Sequence, residues 1–351
     1  MRNPSVVGGI GSYVVGECLG VGGMGTVFAA YSSVLETTVA VKFLHRKFTH
    51  DARARTSFEA EAIAGRVVVH PGVVAVLDHG ETGDGQPFIV LERAAGEPLG
   101  QRVAREGALA PARAIALTRK ILDALAAIHD AGIVHGDVKS DNVLVGVRGE
   151  CKLIDFGLAQ VQFSRQRGDR SAVPADYLSG TPDYMAPEVI RGHGASFAGD
   201  LYAVGVILYE LLVGRTPFGS GTVPEILRRH LDDEVVPPSL RCEDYELPSS
   251  VDYVILRALR KSAYERYGRA RDFDDALARL EHAAPARPAT SSSSRARVGN
   301  RRVETATFVA RRRRAGPELA SAAGGPRTAE DHEGGEPCGH AERSNGGGRG
   351  S

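Results

Sequence analysis

The sequence predicts an α+β protein of two unequal lobes. Residues 13–44 alternate apolar and polar side chains around a cluster of glycines, which is typical of short antiparallel strands joined by tight turns. From residue 111 the apolar spacing changes to that of helices, and beyond residue 283 large apolar side chains become rare. These observations predict a small lobe built on a sheet, a larger mainly helical lobe and a disordered tail.

We expect the small lobe to span residues 13–92 and to hold a five-stranded antiparallel sheet with one helix. Three strands lie within residues 13–44, and the segments "VVAVLDHG" (73–80) and "PFIVLE" (87–92) predict two more. Residues 52–66 have a helical pattern.

The large lobe, residues 95–281, has the apolar spacing of helices. Residues 111–132 predict a helix with Pro111 near its start and Gly132 as its C-terminal cap. Residues 199–213 are apolar on nearly all sides, which indicates a buried central helix. Further helices are predicted at 252–260 and 272–282, with short strands near 142–155.

Composition excludes several classes of protein. The 351 residues carry a formal net charge of +0, so no global basic field predicts nucleic-acid binding. The four cysteines form no CxxC pair, which argues against a zinc site or a disulfide scaffold. No apolar run reaches the roughly 18 residues of a membrane helix, so we expect no membrane span and a cytoplasmic location.

The segment "LGVGGMGTVF" (19–28) carries Gly20, Gly22 and Gly25 in G-x-G-x-x-G spacing. A strand follows these glycines, whereas a dinucleotide-binding fold needs a helix there, so the interpretation as a nicotinamide-dependent dehydrogenase fails. A glycine hairpin between two strands can offer backbone N–H groups to nucleotide phosphates. A plain flexible hairpin is an equal alternative from this segment alone.

Two charged residues interrupt apolar strands. Lys42 in "VAVKF" is costly to bury unless a carboxylate such as Glu59 or Glu61 pairs with it, and the alternative is a lysine that reaches solvent from a strand edge. Asp155 in "CKLIDFGLA" ends a strand and suits Mg2+, or it simply opens a turn. Between them, "HGDVKSDN" (135–142) has the composition of a phosphate-handling site.

Taken in order, five segments resemble the signature set of eukaryotic-type serine/threonine protein kinases, most closely the bacterial members. The segments are "LGVGGMGTV", "VAVK", "HGDVKSDN", "DFG" and "APE". The resemblance covers roughly residues 13–281. It implies the two-lobed protein kinase fold, ATP and Mg2+ as cofactors, and transfer of the γ-phosphoryl group to Ser or Thr hydroxyls of protein substrates.

The resemblance also implies a role for each matching residue around the nucleotide. Lys42 would hold the α- and β-phosphates, with Glu61 as its partner and Glu59 as the fallback. Leu91 would lie at the back of the adenine pocket. The full ATP-binding set implied is Leu19, Gly20, Val21, Gly22, Gly23, Met24, Gly25, Thr26, Val27, Lys42, Glu61, Glu92 and Ala94.

Asp137 would orient the substrate hydroxyl and accept its proton, and Lys139 would stabilise charge on the transferred group. Asn142 and Asp155 would bind Mg2+. Three further positions are implied to be structural: Glu188 would pair with Arg266, and Asp200 would cap the catalytic loop. Thr181 in "SGTPDYMAPE" would lie in the substrate loop and bond to Asp137 and Lys139.

One position departs from the family pattern. Gly136 stands where most members carry an Arg that pairs with a phosphate on the activation segment. Glycine has no side chain for that contact, whereas Asp137, Lys139 and Asn142 are all present. The hypothesis is that catalysis survives while control by activation-segment phosphorylation is weakened or absent.

Two alternatives concern function. A pseudokinase that binds nucleotide or partner proteins is disfavoured, because Lys42, Asp137, Asn142 and Asp155 are all present. In the tail, residues 283–351, Thr305 and Thr307 precede the basic run "RRRR". They suggest an autophosphorylated segment read by phosphothreonine-binding partners, or a contact with an anionic surface, although a solvated disordered tail is favoured over both.

Overall fold

The structure is a computed structural model that describes residues 8–155, 160–161, 182–281 and 287–288. The chain divides into two compact units, residues 1–292 and 293–351, and every described residue belongs to the first. Most of the predicted disordered tail therefore lies outside the described residues. Within it, Arg287–Pro288 forms a short strand with Tyr245–Glu246.

The small lobe is an antiparallel sheet with the strand order β1-β2-β3-β4-β6-β5. All five predicted strands are present, and a sixth, β1, is added before residue 13 because residues 8–10 fold back along residues 13–15. The strands are β1 (Gly8–Ile10), β2 (Tyr13–Val21), β3 (Gly25–Ser32), β4 (Thr37–Leu44), β5 (Val76–Glu81) and β6 (Pro87–Glu92).

Strand β4 directs its side chains alternately to the two faces of the sheet. Val39 and Val41 join an apolar cluster on one face of the sheet, which we call the outer face. Leu44 joins a second apolar cluster on the opposite face, which we call the inner face. Lys42 shares the inner face with Leu44 because the two are two residues apart. The alternation along β4 therefore places the buried cation Lys42 on the inner face of the sheet.

Helix α1 (Ala52–Val67) packs Phe58 and Ala62 into the inner-face cluster. It begins at Asp51, whose carboxylate accepts hydrogen bonds from the backbone N–H groups of Arg53 and Ala54 at 2.9 and 3.1 Å. This N-terminal cap satisfies two backbone donors that the helix leaves free. The packing presents the buried face of α1 to Lys42.

The large lobe is mainly helical, and its centre is α5 (Phe197–Val213), which is buried on nearly all sides as predicted. Three helices were not predicted, α2, α4 and α6, although the sequence signals α6 through a capping box formed by Thr222 and Glu225. The other helices are α2 (Leu99–Glu106), α3 (Pro111–Asp130), α4 (Pro187–Ile190), α6 (Val223–Asp232), α7 (Ser249–Ala258) and α8 (Ala270–Glu281).

Short strands in the large lobe bring the signature segments together. β9 pairs with β10 and β7, so the ends of "HGDVKSDN" and "CKLID" become neighbours. The short strands are β7 (Glu97–Pro98), β8 (Ile133–Val134), β9 (Val143–Val145), β10 (Cys151–Leu153), β11 (Gln160–Val161), β12 (Tyr245–Glu246) and β13 (Arg287–Pro288). Among the described residues no helix is long and apolar enough to cross a membrane.

Candidate active site

Lys42 contacts two carboxylates in the interior between the sheet and the large lobe. Its Nζ donates to both oxygens of Glu61 at 2.7 and 2.9 Å, and it also bonds to Asp155. Glu61 projects from the buried face of α1, whereas Glu59 is exposed. The structure therefore brings Glu61, and not Glu59, to the lysine.

Burial and charge act in opposite directions on this cluster. Burial by itself would lower the pKa of Lys42, but the two carboxylates raise it well above its ordinary value. One ammonium group cannot neutralise two carboxylates fully. At Glu61, whose side chain is 4% exposed, burial is the larger effect and the pKa is raised. At Asp155, whose side chain is 38% exposed, the charge of Lys42 outweighs burial and the pKa is lowered.

The backbone of Asp155 is unusual, because its φ of 66° lies in the left-handed region that non-glycine residues rarely adopt. The residue directly follows β10, and the backbone N–H of Ile154 donates to the carbonyl oxygen of Asn142 at 3.0 Å. This bond connects the turn at Asp155 to the end of residues 135–142, the segment that the resemblance implies to be the catalytic loop. Such conformations persist where the surroundings hold them, often at functional sites.

Asp137 lies at the centre of the catalytic loop, residues 135–142. Its Oδ2 accepts from Lys139 Nζ at 2.7 Å and from Asn142 Nδ2 at 2.9 Å, and Asn142 also donates to the Asp137 carbonyl at 2.8 Å. Burial raises the pKa of Asp137, and Lys139 opposes the shift. A carboxylate with a raised pKa is a better proton acceptor than one with an ordinary pKa.

The catalytic loop is held from below by Asp200, which is 3% exposed on α5. Its two carboxylate oxygens accept from the backbone N–H groups of His135 and Gly136 at 3.0 and 2.9 Å, and Oδ2 also lies 2.9 Å from His129 Nε2. Gly136 has a φ of 78°, where a side chain would be strained. The missing Arg therefore coincides with a backbone conformation that suits glycine.

The Gly-rich hairpin joins β2 and β3. The backbone N–H of Gly22 donates to the Gly25 carbonyl at 2.8 Å and closes the turn, while Leu19 and Val21 are exposed. Met24 packs against the inner-face cluster, which includes Phe58 of α1. Val27 lies opposite Lys42 in the β3–β4 ladder, so it shares the inner face with the lysine. The hairpin thus extends over the side of the sheet that carries Lys42.

The linker between the lobes begins at the end of β6. Leu91 lies opposite Ala40 of β4 and is half-buried, and the Glu92 backbone N–H donates to Ala75 at 2.9 Å. The Glu92 side chain forms an ion pair with Lys152 of β10, which sequence reasoning did not assign. Ala94, two residues further on, is also half-buried.

Two structural ties support the large lobe near the site. Glu188 and Arg266 form a two-point ion pair at 2.7 Å, and the arginine side chain is fully buried. Sequence reasoning missed a second tie: Tyr184 Oη lies 2.7 Å from Ser140 Oγ and donates to Glu210 at 2.7 Å. Ser140 belongs to the catalytic loop, so this contact links the loop to α5.

Some assigned residues lie outside the described part of the chain. Thr181 is one of them, and so are Phe156 and Gly157 of "DFG", Thr305 and Thr307. The activation segment also offers Ser164 and Ser171 as candidate phosphorylation sites, and both lie outside the described residues. Their roles stay predictions.

The side chains of Asp155 and Asn142 are of the kinds that would suit Mg2+. Asp155 and Asn142 offer carboxylate and amide oxygens on neighbouring segments, which are the ligand types that Mg2+ prefers. In the described ranges, no group of three or more His, Cys, Asp or Glu side chains is arranged to hold a metal ion.

Comparison with known proteins decides the family. The family model for the protein kinase domain matches residues 13–278, which is most of the chain. The chain belongs to the protein kinase family. The resemblance seen in the five signature segments is thereby confirmed, together with the two-lobed fold that it implied.

Curated relatives of bacterial origin are serine/threonine-protein kinases by name. Pkn3 of Myxococcus xanthus is 36% identical over 291 residues, covering 80% of this chain and 53% of that protein. PksC of Streptomyces coelicolor is 37% identical over 302 residues, covering 83% and 53%. PknB of Mycobacterium tuberculosis is 34% identical over 276 residues, covering 78% and 43%. The chain spans about half the length of these relatives.

Proposed function

We propose that this kinase domain is catalytically active and transfers the γ-phosphoryl group of ATP to Ser or Thr hydroxyls of protein substrates. The observation that carries the proposal is the joint placement of six polar side chains. Lys42 is paired with Glu61 beside Asp155, and Asp137 is bonded to Lys139 and Asn142. Phosphoryl transfer depends mainly on positioning and on neutralising charge, which such a set supplies.

Asp137 is proposed to orient the acceptor hydroxyl and take its proton, supported by its hydrogen bonds to Lys139 and Asn142 and by its raised pKa. Lys42, which Glu61 holds in place, would bind the α- and β-phosphates, and Lys139 would face the transferred group. Asp155 and Asn142 would hold Mg2+. When bound, that cation supplies positive charge to the phosphate oxygens.

The choice of Ser and Thr as acceptors is supported by the names of the curated relatives and by the loop "SGTPDYMAPE". Thr181 of that loop lies outside the described residues, so its bonds to Asp137 and Lys139 stay a prediction. A cytoplasmic location and phosphothreonine-reading partners of the tail stay predictions as well.

Labelled ATP with Mg2+ and a generic basic protein tests the proposal. We expect label on Ser and Thr of the acceptor with the unchanged chain, and at least a hundredfold less with Asp137→Asn. The matched control is Asp130→Asn, which removes an exposed aspartate at the end of α3 and should leave the label unchanged. Binding of MgATP is measured in parallel by the shift in unfolding temperature.

Three results would count against an active Ser/Thr kinase. A MgATP-dependent shift without label above the Asp137→Asn background would favour the pseudokinase. Equal label with Asp137→Asn would remove the assigned role of Asp137. Label confined to Tyr would contradict the acceptor class.

We also propose that activity needs little or no phosphorylation of the activation segment. Gly136 has no side chain to pair with a phosphate, and its backbone N–H is already held by Asp200 at 2.9 Å. Replacing Ser164 and Ser171 with Ala should therefore leave activity nearly unchanged. A hundredfold loss in the double variant would refute this, while the Asp137→Asn comparison would still report separately on catalysis.

A further inference from the structure

The outer side of the Gly-rich hairpin carries contacts that none of the assigned roles uses. In the β3–β4 ladder Val27 lies opposite Lys42, and Thr26 lies opposite Phe43. Cross-strand partners share a face and successive residues alternate. The Thr26 side chain therefore projects to the outer face, away from Lys42, although the resemblance places residue 26 in the ATP-binding segment.

His45, the residue that follows β4, meets the hairpin on that outer side. Its backbone N–H donates to the Met24 carbonyl at 2.8 Å, and its Nε2 lies 3.2 Å from Thr26 Oγ1. Burial and the nearby Lys47 lower the pKa of the His45 ring, and the backbone of Gly23 and Gly25 opposes this shift. His45 thus contacts the hairpin at Met24 through its backbone and at Thr26 through its side chain.

The backbones of the hairpin and of β4 are in close approach at this point. A Cβ atom built on Gly25 would lie 2.5 Å from the Phe43 carbonyl oxygen, so only glycine fits there. The tip therefore rests directly on the end of β4, next to His45. A change in the hydrogen bonds of His45 would act on the height of the tip above the inner face.

We propose that His45 is a positioning residue for nucleotide binding, which holds the Gly-rich tip from the outer face through Met24 and Thr26. This inference rests on the proposed function, because it assumes that the inner side of the hairpin covers the phosphates. The hairpin offers backbone N–H groups whose placement decides how well they meet phosphate oxygens. Loosening the tip should weaken ATP binding more than it slows the chemical step.

The surroundings of His45 allow its side chain to be replaced without disturbing the packed core. The residue is half-buried and borders an open cavity of about 740 Å³ on the outer face, beside Phe28, Phe43 and Arg46. Because one side of the ring faces open space, removing it does not leave a closed void in a packed core. The folded state should therefore persist in His45 variants.

The experiment measures KM for ATP, kcat and the unfolding temperature for His45→Ala, His45→Gln, Thr26→Val and the His45→Ala/Thr26→Val double variant. We expect His45→Ala to raise KM about three- to tenfold with kcat within about twofold, because it removes the side-chain hydrogen bond to Thr26 while the backbone bond to Met24 stays. The double variant should be no worse than His45→Ala, because both remove the same contact. The Gln amide can reach the Thr26 hydroxyl, so His45→Gln should recover part of the loss.

Lys47→Ala is the matched control, since Lys47 is an exposed cation two residues away that stacks on Phe48. It should leave KM unchanged. An unchanged KM in His45→Ala would overturn the inference, and so would equal losses in kcat and stability without any change in KM.

Binding of a fluorescent ATP analogue separates this inference from the proposed function. If the unchanged chain binds the analogue but transfers no phosphoryl group, weaker binding by His45→Ala still supports the positioning role. If the unchanged chain binds no nucleotide, both proposals fail. If it is active and His45→Ala binds the analogue equally well, only the role of His45 fails.

Discussion

The buried ion pair between Glu188 and Arg266 predicts a large effect from a change of a single charge. Glu188→Gln keeps the shape of the side chain and removes its charge. Arg266 is fully buried, and its two terminal nitrogens each meet one carboxylate oxygen at 2.7 Å. The variant leaves the guanidinium buried with one neutral acceptor and one donor group in place of the carboxylate.

The size of the effect follows from what remains around the guanidinium. Breaking one side of a buried pair costs about 3–5 kcal/mol. Arg266 keeps hydrogen bonds to the carbonyl oxygens of Arg260, Ala198 and Lys261 at 2.7, 2.9 and 3.1 Å. We therefore expect Glu188→Gln to fall at the lower end, about 3 kcal/mol. In a domain of this size that is a decrease in unfolding temperature of about 6–12 °C.

Urea unfolding followed by circular dichroism measures the effect, with two companion variants. Arg266→Leu should cost more than Glu188→Gln, because it also leaves three carbonyl oxygens without their donor. Asp130→Asn is the matched control, since its pair with Arg271 spans 2.6 Å but the side chains are 61% and 72% exposed. An exposed pair of this kind contributes below about 1 kcal/mol.

The order of the three variants is the critical result. If Glu188→Gln lowered the free energy of unfolding no more than Asp130→Asn does, the pair would have no special value for stability. If Arg266→Leu were the mildest of the three, the carbonyl contacts would not matter. Either outcome would refute the reasoning.

Three further predictions concern single residues. Burial, and then Lys261, lower the pKa of His230 to about 3, so the imidazole binds a proton more readily in the unfolded chain and the folded state loses stability as pH decreases below about 6.5. His230→Phe should therefore reduce the drop in the free energy of unfolding between pH 7.5 and pH 5.0, measured by urea titration, by up to about 2 kcal/mol. An undiminished drop would exclude His230 as its source. Lys42→Met should reduce phosphoryl transfer at least a hundredfold in the labelled-ATP assay, because Glu61 and Asp155 then face each other without a cation; tenfold or less would argue against its role. Gly136→Ala should lower stability by about 1–2 kcal/mol in urea titrations, because its φ is 78°, and no loss would mean that the loop adapts.

Local patterns accounted for much of the fold. The alternation along β4 predicts a strand, and the apolar spacing of residues 199–213 predicts the buried helix, because both depend on neighbours in sequence. Helix α2 was missed because its eight residues are too few: Leu99 and Val103 have helical spacing, but a single apolar pair does not distinguish a helix from a loop. The added strand β1 was missed because "GGI" has no strand signal apart from its partner.

For the candidate site, the sequence by itself determined which chemical groups are available and in what order. Lys42, Asp137, Asn142 and Asp155 stand in segments whose spacing is local, and the match to the protein kinase family covers residues 13–278. The absence of an Arg at residue 136 is equally a fact of sequence. These features predict the family because each motif needs only a few consecutive residues.

Only the tertiary structure decided which of these groups meet. Glu59 and Glu61 lie on one helix, and packing of α1 alone determines that Glu61 faces Lys42. His45 meets Thr26 across a ladder, and Lys152 meets Glu92 across 60 positions of sequence. Contacts between distant segments depend on how whole helices and strands pack. Glu59 and Glu61 have the same chemistry and stand in the same helix, so the sequence does not distinguish them until packing buries one of the two.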